Sequence, residues 1–187
     1  MKKLISMLLV LVMVVSVFAA CNKTENTAGG DAPASSLEVL QNVWNKYADD
    51  QKFFVMGGDI ENPVSDGPGE ISADKLADLP YTLYIPEAEL ANIDGAATMM
   101  HAMLANNFTS GVVHLKSGVD AKAFGATMKD ALANNQWMCG FPDEMVIATV
   151  GEYVVIAFGA TDLMSVFKTN LTAAYANAEV LYHEGLL

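Results

Sequence analysis

Apolar residues at three- and four-residue spacing, Leu37, Leu40, Val43, Trp44 and Tyr47, predict an amphipathic helix over residues 37–48 capped by Ser35-Ser36. Residues 53–56 are a short apolar run, and the Gly-, Pro- and acid-rich stretch 57–70 after it reads as a loop. Pro80 and Pro86 leave room for a short extended piece, 81–85, then a helical turn or two over 86–92. Two apolar runs, 99–104 and 108–115, predict a hairpin, although the first also fits a helix. Asp120 caps a helix whose Ala121, Phe124, Met128, Ala131 and Leu132 share one face. A second hairpin follows, with strands 145–150 and 153–158 flanking Gly151-Glu152. Thr161 then caps a helix that buries Leu163, Val166, Phe167, Leu171 and Ala174. Residues 154–158 are apolar on both faces, as in a central strand covered on both sides.

The expected fold is α+β. Residues 37–187 form a single domain, a mainly antiparallel sheet from two hairpins with packed helices, ordered hairpin–helix, hairpin–helix after an N-terminal helix. The two later helices are expected on one face of the sheet and the N-terminal helix on the other.

Ahead of this domain the pattern changes. Lys2 and Lys3 precede an uncharged apolar run, residues 4–20, which ends in Ala19-Ala20 directly before Cys21. A positive start, an apolar centre and small residues before a cut site describe a secretory signal over residues 1–20. Cys21 directly after two alanines resembles the lipobox of bacterial lipoproteins, in which that cysteine carries a diacylglyceryl group and becomes the mature N-terminus. Phe18 stands where the lipobox usually has Leu. Two acyl chains suffice for stable anchoring where one is marginal. An uncleaved membrane helix and ordinary cleavage after Ala19 are the alternatives, and all three readings export the domain. Residues 21–36 combine this cysteine with a segment rich in Asn, Thr, Ala, Gly and Ser that reads as a flexible tether. The expected location is the extracytoplasmic face of the cell membrane.

Charge narrows the partners. The chain has ten lysines, no arginine and 22 acidic residues, a formal charge of −12 that becomes −14 when Lys2 and Lys3 leave with the leader. Such a surface cannot displace counterions from nucleic acid, and it lacks the Arg forks that favour phosphate. The partners expected are the membrane, through lipidated Cys21, and a protein or small ligand.

Few residues suggest chemistry. Met99, His101, Met103 and His114 supply thioether and imidazole, which suit a soft metal such as Cu(I). A two-residue Asn106-Asn107 turn pairs Leu104 with Thr109 and puts all four on one face. A three-residue turn pairs Leu104 with Phe108 and separates the two histidines. The alternative for these residues is an irregular core filled by Met, with His at its edge.

Cys139 has no intrachain partner once Cys21 is lipidated, so it is either buried and inert or an exposed reactive thiol. Trp137, Met138, Cys139 and Phe141 together form a candidate ligand- or partner-binding loop. The acidic stretch from Asp59 fails the EF-hand pattern, with Pro63 and Val64 at its fifth and sixth positions. GxSxG, HExxH, P-loop and GxGxxG signatures are absent. No catalytic residue and no cofactor is implied, and a non-enzymatic binding or accessory role is expected, with a soft-metal binding protein using the Met/His face and a thiol-dependent enzyme using Cys139 as the alternatives.

Taken whole, the chain resembles small lipoproteins of Gram-positive anaerobes with an uncharacterised mature domain. The resemblance is carried by Cys21 and its leader, Val55-Met56-Gly57-Gly58-Asp59 and Gln136-Trp137-Met138-Cys139-Gly140-Phe141-Pro142. It implies location and a small α+β domain, and supplies no catalytic residue.

Overall fold

The computed structural model describes residues 32–138 and 140–186; the leader, Cys21 and Cys139 lie outside them. Helix α1 (Ser36–Trp44) begins where the Ser35 side chain accepts from the Glu38 amide at 3.1 Å. Strands β1 (Val55–Gly57), β2 (Val64–Ser65) and β3 (Gly69–Ile71) follow, then a single helical turn, α2 (Leu79–Thr82). Strand β4 (Ile93–His101) pairs with β5 (Phe108–Leu115), and helix α3 (Ala121–Ala133) starts on the Asp120 carboxylate. Strands β6 (Glu144–Val150) and β7 (Tyr153–Gly159) form the second hairpin, before helix α4 (Thr161–Ala174) and a last strand, β8 (Glu179–Gly185).

All pairings are antiparallel and make one eight-stranded sheet, β2-β1-β4-β5-β7-β6-β8, with β3 also on β4. The expected α+β class, the hairpin–helix order and the doubly covered central strand are all present; every residue of β7 is buried. Gly151 takes φ +63° in the two-residue turn that joins β6 to β7, a conformation costly for residues with a Cβ.

The distribution of helices differs from expectation. Helices α1 and α4 share one face, where Val39, Leu40, Val43, Phe167 and Leu171 pack on Phe108, Val112 and Val155. The other face is covered by α3 together with residues 71–93, through Leu79, Leu83, Ile85, Phe124, Met128 and Leu132. The long connection before β4 is therefore half of a layer. Tyr81 and Thr82, expected to open an extended piece over 81–85, instead close the helical turn Leu79–Thr82, which tolerates Pro80 because it sits in the first turn, where its missing N–H costs nothing. Thr161 begins α4 but does not cap it: Ala160 holds the cap position, and the Asp143 carboxylate accepts from the Thr161 amide at 3.2 Å.

Among the described residues, Pro33, ahead of the expected start at residue 37, already packs on the domain. Pro33 is buried, and its carbonyl oxygen accepts from the Tyr153 hydroxyl at 3.0 Å. Tyr153 opens β7, so the chain enters the domain at the end of the sheet where β5 and β6 finish.

Candidate functional site: an apolar tip at one end of the sheet

The opposite end gathers four chain segments. They are residues 53–54 before β1, residues 102–107 between β4 and β5, residues 135–143 before β6, and the junction of β7 with α4. Five large apolar side chains stand exposed there: Phe54 (51 %), Met103 (77 %), Leu104 (60 %), Met138 (79 %) and Phe141 (64 %). Isolated exposed apolar residues are ordinary, but a cluster on braced loops is a typical feature of interaction sites.

The loops are held from below. The Ala102 amide donates to the Phe54 carbonyl oxygen at 3.0 Å, and the His101 Nδ1 accepts from the amides of Met103 and Leu104 at 3.1 and 3.3 Å. His101 also stacks on Phe53, with ring centroids 5.5 Å apart and planes 20° off parallel. Asn106 reaches across to residues 138–140, its amide donating to the carbonyl oxygens of Met138 and Gly140 at 3.0 Å each. Trp137 is half-buried between Tyr84 and Phe158, at centroid separations of 4.8 and 5.1 Å. It anchors its loop, while Met138 and Phe141 project from it. On the β1 side of the tip, next to Phe54, lies a shallow groove of about 360 Å³ lined by Trp44, Lys52, Phe53, Phe54 and Asp66.

The soft-metal set does not assemble. Neither short turn forms: a 3-10 turn over Ala105–Asn107 lengthens the loop, so Thr109 pairs with Met100 rather than with Leu104. His101 and His114 do fall on the same face, but His114 lies opposite Gly95, six residues from His101 along β4. At a strand's rise that is about 20 Å. Met99 is buried in the core between them, and Met103 is exposed beyond the strand end. Among the described residues, no three His, Cys, Asp or Glu side chains converge as a metal site requires.

The histidines are otherwise engaged. His114 pairs through Nδ1 with Asp94 at the chain-entry end, and its Nε2 lies 3.9 Å from Glu152. His183, which has no signature in the sequence, joins three elements: Lys168 Nζ of α4 is 2.7 Å from its Nδ1, and Glu144 of β6 is 2.8 Å from its Nε2. An ammonium only donates and a carboxylate only accepts, so Nδ1 accepts and Nε2 carries the proton. With both nitrogens committed, the imidazole has no free position for general acid–base work.

The acidic stretch after β1 turns inward. Asp59 is buried and accepts from the Ser72 hydroxyl at 2.7 Å and from the Asn62 and Glu61 amides at 2.8 and 3.1 Å, which makes it a brace for the loop. The glycines near it serve close backbone approach: β1 and β3 follow one another along β4 and meet at Gly57 and Gly69.

No helix among the described residues is long and apolar enough to cross a membrane. Comparison with protein-family models, curated proteins and solved structures finds no match.

Proposed function

We propose that this chain is an exported lipoprotein, anchored through lipidated Cys21 to the extracytoplasmic face of the cell membrane, whose domain binds a protein partner without catalysing a reaction. The anchor rests on the leader and Cys21. The binding role rests on one observation: the apolar tip lies at the end of the sheet opposite the entry of the chain at Pro33. Strand β7 runs from the entry end to the tip over seven residues, about 20 Å at a strand's rise. A tether attached on the Pro33 side leaves Met138 and Phe141 facing away from the bilayer.

Growth with an alkyne-bearing fatty acid tests the anchor. Label is expected on the native chain and absent from Cys21→Ser. Label on Cys21→Ser, or a native chain held in the membrane without label, overturns lipidation at this residue. For the binding role, photo-cross-linkers at positions 138 and 141 in intact cells are expected to give a discrete adduct that a cross-linker at Ser117, exposed at the entry end of the sheet, does not. The same adducts from all three positions would overturn it.

A further inference from the structure

An apolar tip can be covered by a lipid surface, by a second copy of the chain or by a different protein, and charge separates these occupants. Asp66 lines the groove beside Phe54. Asp143 and Asp162 stand where the loop bearing Phe141 meets the first turn of α4. Asp49 and Asp50 lie in the turn between α1 and Phe53, with Lys52 at 3.9 Å from Asp49. A second copy docking tip to tip brings two acidic rims together, and anionic headgroups meet the same repulsion. An apolar site framed by Lys or Arg satisfies both the centre and the rim.

We infer that the tip docks onto a basic protein partner, with Met103, Leu104, Met138 and Phe141 filling an apolar site while Asp66, Asp143 and Asp162 face cations around it. This deepens the binding role proposed above and is independent of how the chain is anchored. The surface is built before the partner arrives. Trp137 is packed between Tyr84 and Phe158, and Asn106 ties its loop to the next one, so little ordering remains to oppose association. The arrangement is that of an interface, an apolar centre with a charged rim.

The test uses the full-length chain in zwitterionic nanodiscs and two labelled amphipathic helical peptides. Their apolar faces of Leu and Phe are identical; one carries Lys on its polar face and the other Glu. The Lys peptide is expected to bind and the Glu peptide not to. Leu104→Ser/Met138→Ser/Phe141→Ser leaves the charge unchanged and removes only exposed side chains, and it should weaken the Lys peptide by at least about tenfold. Asp143→Asn/Asp162→Asn should weaken it by a few-fold and flatten its salt dependence. Equal binding by the triple-Ser variant would reduce the effect to net charge and overturn the inference. So would tip-dependent binding to anionic vesicles, or dimerisation that the triple-Ser variant abolishes. Peptide discrimination without fatty-acid label on Cys21 would remove the anchor and keep this surface; label without discrimination would do the reverse.

Discussion

The side-chain amide of Asn106 donates to the Met138 carbonyl oxygen at 3.0 Å, across 32 positions of sequence. With its second bond to Gly140, it makes the two loops of the tip one body. Asn106→Ala should cost about 1 kcal/mol of stability, the usual worth of such bonds near the surface. Its larger effect should be local, with faster amide hydrogen exchange at residues 138–141 and unchanged exchange in β5 and β7. Uniform acceleration across the sheet would show that Asn106 supports the whole fold and not the tip.

Gly57 and Gly69 meet backbone to backbone. A Cβ built on Gly57 would lie 2.2 Å from the Gly69 nitrogen, and one on Gly69 would lie 2.4 Å from the Gly58 nitrogen. Neither neighbour is a side chain that can rotate away, so Gly69→Ala should destabilise by about 3 kcal/mol, at the upper end for overpacking. Gly67→Ala, with open space around it, should stay within about 0.5 kcal/mol. Urea denaturation of the two variants checks this; similar midpoints would refute the close approach.

Asp59 sets a pH dependence. Its bond from the Ser72 hydroxyl is the main cause that lowers its pKa to about 2; burial works against this, and the amides of Asn62 and Ser72 add to the lowering. Unfolded, the same group titrates near pH 4. The carboxylate therefore favours the folded state above about pH 4, and its contribution drains away as pH falls from there to about 2. Asp59→Asn should lack that part of the acid limb when denaturation midpoints are compared at closely spaced pH values. Superimposable curves would exclude Asp59 as the source.

His183 should be the Nε2–H tautomer, since Lys168 donates to one ring nitrogen and Glu144 accepts from the other. Nitrogen-15 NMR distinguishes the tautomers directly. The Nδ1–H form would mean that Lys168 and Glu144 do not hold the ring. Removing it in His183→Ala should cost about 1–2 kcal/mol and loosen β8 against α4, because it unpairs two partly buried charges.

Much of the architecture is local in origin and was legible along the chain. The 3.6-residue stripes of α1, α3 and α4 each follow from neighbours in sequence, as does the Gly151 turn, so their existence and order could be read without a structure. The same holds for the unbroken apolar run of β7, which demands cover on both sides. Which face each helix covers was not legible, because a stripe says that a helix is buried and not against what. Strand β8 was also hidden: its residues Glu179 to Gly185 alternate weakly and gain their pairing only from β6.

The site divides in the same way. Met138 and Phe141 were visible as apolar residues in a loop, and they stand exposed. Met103 and Leu104 join them through the β4–β5 register set by the 3-10 turn at residues 105–107, which also holds His101 and His114 apart, and Phe54 joins through the pairing of β1 with the end of β4. In a paired strand one residue of slip exchanges the faces, and one turn of added loop moves a ligand set beyond coordinating reach. Sequence therefore fixed the parts and their order, whereas their meeting at one end of the sheet was decided by pairing between segments distant in the chain.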